Sequence, residues 1–227
     1  MISGETRLVG LIGDPVSQSL SPLMHNAAFA TRGLDWAYVP VPVATKRLED
    51  ALRGLVALGF AGANVTTPHK LAVAQLVETD EASVNTLIVR DGRVVGCSTD
   101  AAILAELEFR RAAILGDGGA AVAFAAALPD SVRFSRRGTW PPDLSDTDLV
   151  VNATSERDVV LAELRPGQTL VDLPYPRTAT ARAAEAAGVR VIDGLDVLVA
   201  QGAASFEMWT GASAPLDVMR AALPKTP

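Results

Sequence analysis

The chain has 227 residues, 49% of them apolar, and a formal net charge of −6. At roughly 150 residues per domain, that length allows one large domain or two small ones. The acidic balance argues against a nucleic-acid partner, which calls for a basic surplus. The single cysteine, Cys97, excludes a disulfide framework, and two histidines, His25 and His69, disfavour a multi-histidine metal site. No run of about 18 uncharged apolar residues predicts a membrane span. The opening Met1-Ile2-Ser3-Gly4-Glu5 lacks the basic-then-apolar pattern of a signal peptide, so the expectation is a cytoplasmic protein. Only three of the 20 basic residues are lysines, Lys46, Lys70 and Lys225, so each is worth inspecting.

Short β-branched runs alternate with Ala-rich segments, which predicts βα units and mainly parallel sheets. Leu8–Gly13 reads as a buried strand. Ser21-Pro22 reads as N-cap and first position of a helix that ends before Gly33. Trp36–Val41 is a second strand, Leu48–Leu58 a helix by its apolar period, and Gly62–Thr66 a third strand. Pro68 starts a helix through Leu76. Residues 85–89 and 93–96 flank Asp91-Gly92, a hairpin signal. A helix starts at Thr99-Asp100. Strands follow at 111–115, 132–135, 148–152, 169–173 and 189–192, with helices at 120–128, 178–187, 197–208 and 216–223.

Gly116-Asp117-Gly118-Gly119-Ala120-Ala121 lies between a predicted strand and a predicted helix, the context of a dinucleotide-binding turn; the alternative is a tight strand–helix corner. Glycines there admit a pyrophosphate to the backbone, and the helix start offers free N–H groups. About 20 residues on, where an acidic ribose ligand serves NAD, the chain carries Ser135-Arg136-Arg137. Two arginines suit a 2′-phosphate, which favours NADP(H) over NAD(H); the alternative is a solvated charge pair. Asp117 conflicts with this reading, because a carboxylate in a phosphate turn weakens binding unless it points away. Lys70 falls in the first turn of a helix, where the macrodipole disfavours a cation. A desolvated lysine there could serve as acid/base or donor, and the alternative is a snorkelling surface lysine. Asp100 is either a functional carboxylate or a helix cap.

Ser19-Leu20-Ser21-Pro22-Leu23-Met24-His25, Asn64-Val65-Thr66-Thr67-Pro68-His69-Lys70, Ser83-Val84-Asn85-Thr86-Leu87, Ser98-Thr99-Asp100, Val151-Asn152-Ala153-Thr154-Ser155 and Asp193-Gly194-Leu195 through Gln201 occur in this order along nearly the whole chain. In these segments the sequence resembles the shikimate dehydrogenase family. The resemblance implies an α/β fold of two α/β domains. Residues 1–98 with 199–227 would form a substrate-binding catalytic domain with a mixed parallel sheet. Residues 99–198 would form a shortened Rossmann-like NADP-binding domain, with a cleft between the two.

The resemblance further implies NADP-dependent reversible oxidation of shikimate to 3-dehydroshikimate, with Lys70 and Asp100 as the catalytic pair. Ser19 and Ser21 would bind the substrate carboxylate, and Asn64, Thr66, Asn85 and Gln201 the ring hydroxyls, with Tyr175 near the same pocket. Gly116, Gly118, Gly119, Ala120, Ser135, Arg136, Arg137, Asn152, Ala153, Thr154 and Gly194 would line the cofactor. Read without the resemblance, each polar residue here has a turn or cap role as its alternative. The chain departs from the family at Ser98, Ala101, Ser135–Arg137 and Asp196-Val197, all in or near the cofactor half, and the stretch 137–148 is too short for the usual helix and strand. Two competing functions follow: a dehydrogenase for quinate or a related hydroxy-cyclohexene carboxylate, and a shikimate-binding protein with impaired cofactor binding. The expected partner is a small-molecule substrate, with no nucleic acid and no membrane, and the expected state is monomer or homodimer.

Overall fold

The computed structural model describes residues 2–224 and divides them into two compact units, one of residues up to 99 together with 199–224, the other of residues 100–198. No helix among the described residues is long and apolar enough to cross a membrane.

The first unit is built on a five-stranded sheet. Its strands are β1 (Arg7–Gly13), β2 (Trp36–Pro42), β3 (Gly62–Val65), β4 (Thr86–Arg90) and β5 (Arg93–Cys97), in the order β2-β1-β3-β4-β5. β2 and β3 pair parallel to β1, whereas β4 and β5 run antiparallel. Helix α1 (Ser21–Thr31) connects β1 to β2, and α2 (Leu48–Ala57) connects β2 to β3. Two consecutive crossovers therefore land on opposite sides of β1. That makes the carboxyl ends of β1 and β3 a switch point, where open α/β sheets receive their ligands. Ile12, Leu52, Leu55, Val65, Val73 and Leu87 form the core on one face. The β4–β5 turn uses Asp91 (φ 53°) and Gly92 (φ 74°), so Asp91-Gly92 is the hairpin its sequence predicts.

The second unit contains β6 (Ala112–Leu115), β7 (Val132–Phe134), β8 (Leu149–Asn152), β9 (Thr169–Asp172) and β10 (Arg190–Ile192), all parallel, in the order β10-β9-β8-β6-β7. Helix α4 (Gly119–Ala127) links β6 to β7 and α5 (Ala179–Ala186) links β9 to β10. This is a doubly wound order without a strand outside β7. From β7 the chain returns through residues 135–148 directly to β8 on the other side of β6, and no helix fills that connection. The shortness of the 137–148 stretch thus removes an outer strand and leaves the centre of the sheet intact.

Several elements depart from their sequence-based expectation. Ser21 is the first helical residue of α1, not its cap: the cap position is Leu20, and the Ser21 N–H donates to Ser19 Oγ at 3.3 Å. The helix expected from Pro68 to Leu76 shrinks to α3 (Lys70–Ala74). Residues 66–69 are taken by a turn closed by the His69 N–H on the Thr66 carbonyl, 3.0 Å. No α-helix forms at Thr99-Asp100. A 3₁₀ segment, Ala102–Glu106, stands there, and Leu107 is already extended (φ −120°, ψ 138°). Of its residues only Ile103 is buried, too little packing to offset helix nucleation.

Helix α6 (Gly194–Thr210) starts three residues earlier than its apolar period indicates. The Asp193 carboxylate caps it, accepting from the N–H groups of Leu195 (2.9 Å) and Asp196 (3.0 Å). Helix α7 (Leu216–Ala221) closes the described chain.

Candidate active site

In the first unit, the loop after β1 and the segment after β3 meet at the switch point. Gly13 ends β1, and a Cβ there would lie 2.3 Å from Thr66 Cγ2, so only glycine lets the two segments approach this closely. The Asp14 N–H donates to the Thr67 carbonyl at 3.1 Å. Ser19 and Ser21 lie in contact, Oγ to Oγ 3.3 Å, where β1 hands over to α1. Lys70 is the first residue of α3 and half-buried. His69 is fully buried, its Nε2 lies 2.6 Å from the Val43 carbonyl, and it anchors the turn that presents Lys70. The Val84 N–H binds the Lys70 carbonyl at 3.1 Å and ties α3 to the entry of β4.

Beneath this lies a buried amide–hydroxyl network. Asn64 Nδ2 is within 3.1 Å of the Asn85 carbonyl, Thr86 Oγ1 and Ser205 Oγ, and its Oδ1 accepts from the Tyr38 hydroxyl at 2.9 Å. Asn85 Oδ1 accepts from the Thr99 N–H (2.7 Å), while its Nδ2 donates to Thr99 Oγ1 (3.0 Å) and Gln201 Oε1 (3.2 Å). Ser205 Oγ, one helical turn beyond Gln201 on α6, also lies 2.9 Å from Thr86 Oγ1. Three strands, Thr99 and the Gln201–Ser205 turn of α6 are thus held in one register, and the Asn85 and Gln201 side chains meet. Next to it His25 is fully buried and stacked on Tyr38. Burial pulls its pKa down to about 3, so the ring is neutral at any ordinary pH.

In the second unit, Gly116 follows β6 with φ 125°, and a Cβ there would sit 3.0 Å from the Ala153 carbonyl oxygen. Gly118 occupies the N-cap of α4 with no side-chain cap among the described residues, and a Cβ at Gly118 meets no heavy atom within 4 Å. Helix α4 therefore presents open N–H groups on a bare approach, with Gly119 and Ala120 in its first turn. The arginines of the post-β7 turn reach the same end of the sheet. Arg137 Nη1 stands 3.6 Å from Asp117 Oδ2, and Arg136 Nη2 stands 3.6 Å from Glu156 Oε2. Ser135 closes that turn, its carbonyl accepting from the Gly138 N–H at 3.0 Å. A bare glycine approach, an uncapped helix start and two arginines form a donor set that fits a dinucleotide bearing phosphates.

Comparison with known proteins agrees with this arrangement. The model described as the shikimate dehydrogenase substrate binding domain matches residues 11–87, and that of the shikimate 5′-dehydrogenase C-terminal domain matches 194–223. The NADP(+) shikimate dehydrogenase of Citrifermentans bemidjiense is 40% identical, over 98% of this chain and 96% of its own. That of Methanothermobacter thermautotrophicus is 35% identical, over 98% of both. The chain belongs to the shikimate dehydrogenase family.

A crystal structure of a shikimate dehydrogenase in complex with NADP+ superposes with a TM-score of 0.89 at 31% identity, over 98% of this chain and 96% of that one. The Thermus thermophilus enzyme in complex with NADP(H) and shikimate gives 0.83 at 29%, over 95% and 98%. The alignment with the Citrifermentans enzyme extends over 278 positions against 227 residues here, so this family member lacks residues its relative carries.

Of the residues singled out in the sequence, Ser19, Ser21, Asn64, Thr66, Lys70, Asn85 and Gln201 lie in the first unit; Asp100, Tyr175 and the cofactor-side residues lie in the second. Asp100 is buried and directly follows Thr99, which Asn85 holds. Tyr175 is half-buried in the loop after β9. Asn152 is fully buried, with Nδ2 donating to Asp172 (2.7 Å) and Oδ1 accepting from the Thr154 hydroxyl (2.8 Å) and N–H (3.2 Å). It shapes the turn of Ala153 and Thr154 from inside. Burial pushes the Asp172 carboxyl up, against the hydrogen bonds from Asn152 and Thr178. At Gly194 a Cβ would lie 2.5 Å from the carbonyl oxygens of Leu173 and Pro174, so close backbone packing already requires glycine there.

Thr86, Thr99, Ser205 and Tyr38 complete the network, and sequence reasoning assigned none of them to the site. A weak signal exists for Ser205, which lies four residues after Gln201 and therefore on the same helical face. Glu156 is a further case, and so is the pairing of Asp117 with Arg137, since these contacts depend on three separate loops.

Proposed function

We propose that this chain catalyses the NADP-dependent reversible oxidation of shikimate to 3-dehydroshikimate. The observation that carries the reading is the gathering of Ser19, Ser21, Thr66 and Lys70 at the carboxyl ends of β1 and β3, the same unit that holds the Asn64–Asn85–Gln201 network. Paired hydroxyls at the start of α1 suit a carboxylate, because they add donors where the helix dipole is positive. Amides of fixed orientation suit ring hydroxyls, since each amide offers a donor and an acceptor in a known place.

Lys70 is the group for the reacting oxygen. As the hydroxyl carbon loses hydride, its oxygen becomes alkoxide-like, and a nearby ammonium stabilises that charge more than it stabilises the ground state. The hydroxyl proton passes to the Lys70/Asp100 pair, with Asp100 as the base and Lys70 as the donor that holds the oxygen; in reduction the same proton returns to the ketone oxygen. NADP+, when bound, accepts the hydride. Gly116, Gly118 and Gly119 would admit its pyrophosphate, and Arg136 with Arg137 its ribose phosphate. Substrate specificity rests with the first unit and cofactor choice with the second.

The test is a steady-state absorbance assay for reduced nicotinamide with shikimate and quinate, each with NADP+ and NAD+. Turnover of shikimate with NADP+ is expected. Equal or faster turnover of quinate would overturn the substrate assignment, and shikimate binding without NADP+ binding in a calorimeter would overturn the enzymatic one.

A further inference from the structure

Each arginine expected at the ribose phosphate stands next to a carboxylate. Asp117 belongs to the glycine-rich turn itself, between Gly116 and Gly118, and its Oδ2 is 3.6 Å from Arg137 Nη1. Glu156 belongs to the loop after β8. The N–H groups of Arg157 (3.1 Å) and Asp158 (3.3 Å) bind its Oε1, and its own N–H donates to Thr154 Oγ1 (3.2 Å), which leaves Oε2 aimed at Arg136, 3.6 Å away. Arg136 is also placed over the Trp140 ring, 6.0 Å from its centroid. Three loops, those after β6, β7 and β8, thus converge on one spot with two positive and two negative charges.

That spot is where the ribose 2′-substituent falls in a doubly wound dinucleotide fold: beside the first glycine turn and the end of the second strand. A 2′-phosphate entering there gains two guanidinium contacts but meets two carboxylates. A 2′-hydroxyl loses the guanidinium gain and finds carboxylate acceptors instead, the partner that hydroxyl takes in NAD-binding sites. Neutralised arginines therefore reduce the advantage of the phosphate.

We propose that Asp117 and Glu156 are specificity-determining residues for the cofactor, which hold discrimination between NADP and NAD low by neutralising Arg137 and Arg136. This inference rests on the dinucleotide reading of the second unit.

The test uses two fragments that differ only in the 2′-phosphate, adenosine 2′,5′-bisphosphate and adenosine 5′-monophosphate, titrated calorimetrically into the full chain and into Asp117→Asn, Glu156→Gln and the double variant at fixed salt. In the unaltered chain the bisphosphate is expected to bind less than about tenfold tighter than the monophosphate. The double variant should tighten the bisphosphate about five- to tenfold, the scale of one or two partly screened charge contacts, and leave the monophosphate within about twofold. Equal shifts for both fragments, no shift, or a weaker bisphosphate in the variants would overturn the proposal, the last by showing that the carboxylates orient the arginines. If neither fragment nor NADP+ binds to any of the four proteins, the dinucleotide reading itself fails. Binding with an unmoved ratio overturns only the role of Asp117 and Glu156.

Discussion

The imidazole of His25 lies parallel to the phenol ring of Tyr38, with centroids 4.5 Å apart and 6° between the planes. Tyr38 in turn donates its hydroxyl to Asn64, so the aromatic stack backs the polar network. Neither ring nitrogen of His25 has a hydrogen-bond partner among the described residues. The stack therefore holds a histidine that must stay neutral.

A dependence of stability on acid follows. In the unfolded chain His25 takes up a proton below its ordinary pKa of 6.5; in the folded chain burial delays this to about 3. Between those values the unfolded state binds more protons, so stability falls as pH falls, by about 1.4 kcal/mol per pH unit from this group. Above pH 6.5 the group contributes no slope. Urea unfolding of the parent and His25→Phe at several pH values should show a shallower acid limb in the variant. Parallel limbs would contradict the assignment.

Asn64 joins Tyr38, Asn85, Thr86 and Ser205. Asn64→Ala removes these four buried hydrogen bonds, each with a net worth of about 0.5–1.5 kcal/mol. A loss of about 3 kcal/mol is expected in urea unfolding, together with lower affinity for shikimate, because the partners of Asn85 and Gln201 shift. A loss below about 1 kcal/mol would show that the network relaxes around the gap.

Lys70→Ala should lower kcat by about 10²–10⁴ with a few-fold change in the KM for shikimate, the pattern of an interaction made mainly in the transition state. Lys70 starts a helix of only five residues and is half-buried, so the unfolding midpoint should change far less than the activity. A large rise in KM at constant kcat would reassign Lys70 to ground-state binding.

Gly116 and Gly118 make opposite predictions. Gly116→Ala forces a side chain into φ 125° and within 3.0 Å of the Ala153 carbonyl, so it should destabilise the fold by about 1–3 kcal/mol. Gly118 has φ −79° and open space, so Gly118→Ala should unfold within about 0.5 kcal/mol of the parent. On the proposed cofactor reading its methyl would occupy the approach of the pyrophosphate, and NADP+ should bind about tenfold more weakly in a calorimetric titration. Unchanged affinity would place the phosphates elsewhere.

On the proposed cofactor reading, Arg136→Ala with Arg137→Ala removes both guanidinium groups and leaves Asp117 and Glu156 without their ion-pair partners beside the 2′-phosphate. The KM for NADP+ should rise by at least about tenfold, with that for NAD+ within about twofold. An equal rise for both cofactors would contradict recognition of the 2′-phosphate.

Local signals carried most of the architecture. The strands at Leu8, Trp36 and Gly62, the helix from Leu48 and the turn at Asp91-Gly92 are all where the sequence places them, because apolar period and turn chemistry act over a few residues. The failures share a cause. The segments after Thr99 and Pro68 have helical composition, yet chain turns and scarce burial shorten them. Asp193 supplied a cap that the apolar period of α6 does not register.

By itself the sequence determined the family, through motifs that hold their order along the chain, and it marked Lys70 and Asp100 as candidates, because reaction chemistry restricts which residue types can stand there. The tertiary structure alone decided that Asn64 and Asn85 belong to one buried network with Thr86 and Ser205, and that Arg136 and Arg137 face Glu156 and Asp117. Hydrogen bonds and ion pairs between residues far apart in the chain depend on strand register and loop path, and neither is set by the residues that make the contact.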